Sequence, residues 1–160
     1  MSSKRYLMSE CLLGHKVRYD GKDCLIKGIL DHLLPDQYIS LCPEVVGDLP
    51  TPRPPAEIQY ASGIDVLQHQ AFVLDNLGND VSNAFIDGAH QALKLAQQFK
   101  VTHAILKAKS PSCGSDLIYD GSFSGHKVHG DGITAALFKQ HGITVMTEHE
   151  FLVQLSKTIL

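Results

Sequence analysis

Ala104-Ile105-Leu106-Lys107-Ala108-Lys109-Ser110-Pro111-Ser112-Cys113-Gly114 is the stretch on which the reading of this chain turns. It opens as an apolar run suited to a buried strand and ends in a stiff turn. Pro111 holds Ser110 extended and removes one backbone donor. Gly114 lets the chain turn sharply just past the thiol. Two hydroxyls, a thiol and Lys109 are thereby presented together at the end of a strand. A Ser-Pro turn with a buried cysteine can equally be structural, so its meaning depends on what other segments bring to it.

Working outward, strands are expected at 6–9, 38–41, 102–106 and 143–146, with shorter edge strands at 57–60 and 72–74. Helical spacing of Leu25, Ile29, Leu30, Leu33 and Leu34 predicts a helix over 24–34, stopped by Pro35. Ser82 is expected to cap the clearest helix, with Phe85, Ala89, Ala92, Ala96 and Phe99 on one stripe and Gly88 close against the sheet. Asp131 is expected to cap a helix that Gly142 ends. A closing helix over 151–159 should turn Phe151, Leu152, Leu155 and Ile159 inward. The proline-rich 50–55 reads as a rigid extended loop, and the glycine-rich 121–132 as another loop. Alternating strands and helices predict a single α/β domain over 1–160: a Rossmann-like, mostly parallel sheet with helices on both faces.

Composition narrows the function. A chain of 160 residues buries roughly 68–70% of its surface, enough for a true core. A net charge of −3 without a basic cluster argues against nucleic acid. No apolar run reaches the ~20 residues of a membrane span, and Met1-Ser2-Ser3-Lys4-Arg5-Tyr6 lacks the apolar core of a signal peptide. The expectation is a cytoplasmic protein with neither nucleic acid nor membrane as partner. Gly121-Ser122-Phe123-Ser124-Gly125-His126-Lys127 has the wrong spacing for a phosphate-binding loop, and no G-x-G-x-x-G follows the first strand.

The four cysteines, at 11, 24, 42 and 113, include no C-x-x-C pair. In open parallel sheets, ligands bind beyond the carboxyl ends of the strands. Cys11, Cys42 and Cys113 each follow such an end; Cys24 does not. Three converging thiols suit zinc or an iron–sulfur cluster, though they could also be small buried hydrophobes. Glu44, two residues past Cys42, could serve as acid or base or be a solvated loop residue. Ser110, with Ser112 as its fallback, could relay a proton or only bond its own turn. Arg18 and Arg53 suit either a planar contact to a substrate carbonyl or a surface ion pair, and Asp20 flanks the turn beside Arg18. His126 and His129, in the glycine-rich loop, are the histidines to watch.

Taken together, several segments resemble one family. They are Cys11-Leu12-Leu13-Gly14 with Val17-Arg18-Tyr19-Asp20-Gly21, Cys42-Pro43-Glu44, Pro52-Arg53-Pro54-Pro55, Lys109 through Gly114, Tyr119-Asp120-Gly121-Ser122-Phe123-Ser124-Gly125, and Gly130-Asp131-Gly132-Ile133-Thr134-Ala135-Ala136-Leu137. In this order they are similar to the bacterial TudS-type thiouracil desulfurases over nearly the whole chain. The resemblance implies a [4Fe-4S] cluster held by Cys11, Cys42 and Cys113 with one iron left open. It also implies a thiolated nucleobase such as 2-thiouracil as substrate, and water replacing sulfur without net electron transfer. Glu44 and Ser110 match the positions for acid–base chemistry, and cluster-assembly proteins would be maturation partners. Cys24, His126 and His129 receive no role from the resemblance. The competing reading is a non-catalytic metal- or small-ligand-binding module in which the three cysteines only hold the fold.

Overall fold

The computed structural model describes residues 4–31 and 33–159. In chain order, β1 (Tyr6–Ser9) runs into a single 3-10 turn (Glu10–Leu13), and β2 (Tyr38–Leu41) into the short helix α1 (Pro43–Val46). Then follow β3 (Ala56–Ile58), α2 (Gly63–Leu67), β4 (Val73–Asp75) and the long α3 (Ser82–Gln98). The second half holds β5 (His103–Leu106), β6 (Leu117–Tyr119), β7 (Lys127–His129), α4 (Ile133–Gln140), β8 (Thr144–Thr147) and α5 (Glu148–Ile159). The central sheet is fully parallel, in the order β2-β1-β5-β8. β3 and β4 pair antiparallel, as do β6 and β7. None of the helices among the described residues is long and apolar enough to cross a membrane.

The pleat sends alternate residues to opposite faces, so each strand feeds two cores. Leu7, Ala104 and Leu106 join α3 and α4 on one face, around Phe85, Ala89, Leu137 and Phe138. Tyr6, Met8, Ile105 and Met146 join Phe151 of α5 and the chain around Ile29 on the other. Leu7, Met8, Ile105 and Leu106 are completely buried, each contributing about 1.5–3 kcal/mol. Helices therefore lie on both faces of a parallel sheet, as the alternation of elements predicts.

Five local expectations need correction. Residues 24–31 form no helix: Cys24 and Ile26 donate backbone bonds to the carbonyls of Cys11 and Leu12, and Gly28 takes a φ of +79°. Those bonds draw the chain along the 3-10 turn, and the left-handed glycine breaks any helical run. Ile29 still reaches the core, whereas Leu25 and Leu34 are exposed. The predicted stretch also includes His32, which lies outside the described residues, as does the side chain of Ile159.

Helix starts differ as well. Ser82 is the first helical residue rather than the cap, and its hydroxyl accepts the Val73 N–H at 2.8 Å. Asp131 does not cap α4; Gly132 does, while Asp131 accepts from the Asp116 backbone (2.8 Å) and the Lys139 ammonium (2.9 Å). Finally, 121–132 is not all loop, because 127–129 forms β7 against β6.

Gly88 is tightly packed, but against α1 rather than the sheet. A Cβ there would collide with the Pro43 carbonyl oxygen, and one at Gly47 with that of Ala84. The two glycines let α1 and α3 cross backbone to backbone. Gly88→Ala is expected to destabilise the protein by about 1–3 kcal/mol through overpacking. Because Cys42 is the N-cap of α1 and Glu44 lies in its first turn, iron retention should fall with the melting temperature. An unchanged melt would contradict this close crossing.

Candidate active site

Three strand ends and the turns after them build the site. β1 leads to Cys11, β2 to Cys42 and β5 to the turn bearing Ser110 and Cys113. The chain lays β2 on one side of β1 and β5 on the other, so the crevice above β1 and β5 is the switch point at which such sheets bind ligands. There a cavity of about 570 Å³ opens, with Cys11, Cys42, Glu44, Arg53, Ser110 and Cys113 in its wall. Three strand-end cysteines, Glu44 and Ser110 thus meet in one space.

The three thiols are held differently. Cys113 is buried, and the Ser9 hydroxyl donates to its Sγ at 3.6 Å. Ser9 in turn accepts the Lys107 N–H at 3.0 Å, tying β1 to the start of the turn. Cys42 sits at the N-cap of α1 without a side-chain cap hydrogen bond; burial and the neighbouring Glu44 charge push its thiol up, opposed by the nearby backbone N–H groups of Val45 and Glu44. Burial pushes the Cys11 thiol up to about 12, with the sulfurs of Cys24 and Cys42 adding to the rise. Cys113 is raised well above the ordinary thiol value by burial first and then by Cys42. Three desolvated thiols that oppose one another's ionisation form a donor set suited to a soft cationic centre, which would reverse that balance.

Among the described residues, no three His, Cys, Asp or Glu side chains are grouped tightly enough for one metal ion. Cysteines that bind a four-iron cube each take a different iron, so such ligands stand farther apart than those of a single ion. Three cysteines around an open cavity fit that arrangement.

Glu44 and Ser110 form the second half of the site. The Glu44 side chain is only 16% exposed, and its Oε1 accepts from Arg53 Nε at 3.2 Å. Burial raises the carboxyl above its ordinary value, opposed by the Arg53 charge and, more weakly, by the nearby Ser110 hydroxyl. Ser110 Oγ accepts the N–H groups of Ser112 and Cys113, each at 3.1 Å. Two accepted bonds occupy the lone pairs of a hydroxyl, so its single proton is the one offered to Glu44. Turn bonding and a role at the carboxylate coexist in this one side chain. Ser112 is committed elsewhere, 2.7 Å from the Thr134 hydroxyl.

Arg53 lines the cavity, and its ion pair is buried rather than on the surface. It is buried, and its guanidinium donates to Glu44, to the Pro50 carbonyl (3.0 Å), to the Thr51 hydroxyl (3.1 Å) and to the Val17 carbonyl (3.1 Å). The proline-rich loop is thus rigid because it delivers this cation beneath Glu44. Arg18 lines the cavity, with its guanidinium 5.6 Å from the Tyr19 ring. Asp20 stays in its exposed turn, accepting the Lys22 N–H. His126 and His129 are exposed and do not line the cavity.

Cys24 lies beside Cys11, its N–H bonded to the Cys11 carbonyl at 2.8 Å, but it does not line the cavity. Cys24→Ser is expected to leave the iron content of reconstituted protein unchanged; a proportionate loss of iron would make Cys24 a ligand. Sequence reasoning also missed Ser9 and the ion pair between Lys107 Nζ and the buried Glu148 (3.1 Å). A hydroxyl closing the otherwise apolar run Tyr6-Leu7-Met8 was the available signal for Ser9.

Fold and site together define a class: an α/β enzyme whose soft thiol donors share the strand-end crevice with a buried carboxylate, Glu44, and the Ser110 hydroxyl. The family model described as 2-thiouracil desulfurase matches residues 6–150. The "Uncharacterized protein YbbK" of Bacillus subtilis (strain 168) is 42% identical over 144 residues, which cover 90% of this chain and 95% of that protein. The solved structure of the [4Fe-4S]-dependent thiouracil desulfidase TudS superposes with a TM-score of 0.84 at 39% identity, covering 99% of this chain and 100% of that one. The chain belongs to the 2-thiouracil desulfurase family.

Proposed function

We propose that this enzyme removes sulfur from a thiolated nucleobase of the 2-thiouracil kind, replacing C=S by C=O with water and releasing sulfide. The observation that carries the reading is the convergence of Cys11, Cys42 and Cys113 with the Glu44–Ser110 pair on one cavity. Family membership and the likeness to TudS support it. Cys11, Cys42 and Cys113 would hold a [4Fe-4S] cluster, loaded by cluster-assembly proteins. Bound there, the cluster supplies an iron with an open position, a soft Lewis acid matched to thiocarbonyl sulfur.

The remaining chemistry belongs to the chain. Glu44, kept a better proton acceptor by burial, takes a proton from the water that attacks the thiocarbonyl carbon. Arg53 and the Ser110 hydroxyl hold the carboxylate in place for that transfer. Water's oxygen replaces sulfur on the carbon, C=S becoming C=O; sulfur leaves as hydrosulfide with one of water's protons, and the other passes from Glu44 to solvent. No atom changes oxidation state, so no electron donor is needed. Turnover of 2-thiouracil in ¹⁸O-labelled water tests this directly: the uracil formed should carry one label per sulfide released. Unlabelled uracil, or a requirement for reductant, would overturn the hydrolytic route.

A further inference from the structure

Phe123 stands in the cavity wall in a backbone conformation that a bulky side chain disfavours, with a φ of +57°. Of the six other described non-glycine residues with positive φ, Asp48, His69 and Lys100 each come just after a helix, where a left-handed residue is an ordinary ending, whereas Tyr60, Lys109 and Asp116 do not. Phe123 ends no helix. It lies at the tip of the loop joining β6 to β7, and that tip is clamped. Oε1 of Glu57, on β3, accepts the N–H groups of Gly121 (3.0 Å) and Phe123 (3.2 Å). Gly121 is pressed so closely on the backbone that a Cβ would stand 2.7 Å from the Ile58 carbonyl oxygen.

This strain does not serve the core, because Phe123 remains 38% exposed. Backbone strain that buries no side chain points to a functional constraint. Two other aromatic rings line the cavity, and both are engaged: Tyr19 by Arg18, 5.6 Å from its centroid, and Tyr119 by Lys127, 5.9 Å away. Among the described residues, the Phe123 ring has neither a cation nor another ring against it. It is an uncommitted apolar face held rigidly at the mouth of the site.

We propose that Phe123 is the platform on which the flat ring of the substrate stacks, making it the residue that selects planar heteroaromatic thiocarbonyls over non-aromatic ones. This rests on the desulfurase reading for the identity of the ligand, a pyrimidine base. A phenyl ring has no polar handle, so it reads planarity and leaves the hydrogen-bonding edge of the base to other groups. Glu57 also lines the cavity, and it acts on Phe123 as a positioning residue, through the loop it clamps.

The test is calorimetric titration of uracil into cluster-loaded protein. Phe123→Ala should weaken binding by about 5- to 150-fold, the range seen when an aromatic platform for a base is removed. Phe123→Tyr should bind like the native protein. In turnover of 2-thiouracil, Phe123→Ala should raise KM and leave kcat nearly unchanged. Glu57→Ala should also weaken uracil binding, and Glu57→Gln, which keeps the acceptor oxygen, should restore it. Equal affinity of native protein and Phe123→Ala, or no uracil binding by native protein, would overturn the proposal. Sulfide release with equal affinities would sink stacking alone. Uracil binding that depends on Phe123, without sulfide release, would sink the desulfurase reading alone.

Discussion

Glu44→Gln is expected to cut sulfide release by about 10²- to 10⁴-fold, the usual worth of a positioned acid or base, while leaving iron content at the native level. Glutamine keeps the shape and the acceptor oxygen but cannot take a proton from water. The environment should survive the change. Arg53 retains its bonds to the Pro50 carbonyl, the Thr51 hydroxyl and the Val17 carbonyl, and Ser110 can still donate to the amide oxygen. Removing one partner of a buried ion pair outright can cost about 3–5 kcal/mol, which is why the isosteric amide is the right variant and alanine is not. A thermal melt separates lost chemistry from lost fold. Native rates in a folded, iron-loaded Glu44→Gln protein would remove Glu44 from the mechanism and return the site to a binding role.

Cys42→Ser should have the opposite profile: a sound fold with no retained iron and no turnover. Cys42 is the N-cap of α1, a position where serine is among the preferred residues. A serine hydroxyl can cap first-turn N–H groups that no side chain caps now, so the variant should melt at or above cluster-free native protein. A neutral hydroxyl is a poor donor for an iron–sulfur centre, which selects thiolate. Iron and acid-labile sulfide measured after anaerobic reconstitution should therefore drop to background. A full complement of both in this variant would show that Cys42 is not a ligand and that the centre is held elsewhere. Cys113 is a less clean probe, since it is buried beneath Ser9 and belongs to the main core.

The parallel sheet was readable because each central strand is a short apolar run buried on both faces, a pattern that survives without knowledge of its partners. The three strand-end cysteines were readable for the same reason: once the sheet is parallel, its carboxyl ends share an edge. What escaped depended on long-range geometry. The spacing of Leu25, Ile29, Leu30 and Leu33 is helical, yet backbone bonds to the carbonyls of Cys11 and Leu12 pull that segment into another path. The β6–β7 pair was hidden because 127–129 is only three residues long and sits among glycines. Arg53 and Glu44 lie nine residues apart with a proline-rich loop between them, and nothing local says that the loop folds back. Ser110 was found for its chemistry, but the two backbone bonds that aim its proton are visible only in three dimensions.

The most direct test of the central claim is anaerobic reconstitution with iron and sulfide, followed by incubation with 2-thiouracil in the absence of any electron donor. The account predicts a cluster-loaded protein that forms uracil and sulfide in equal amounts over many turnovers. A fully loaded protein that releases no sulfide from 2-thiouracil would contradict it.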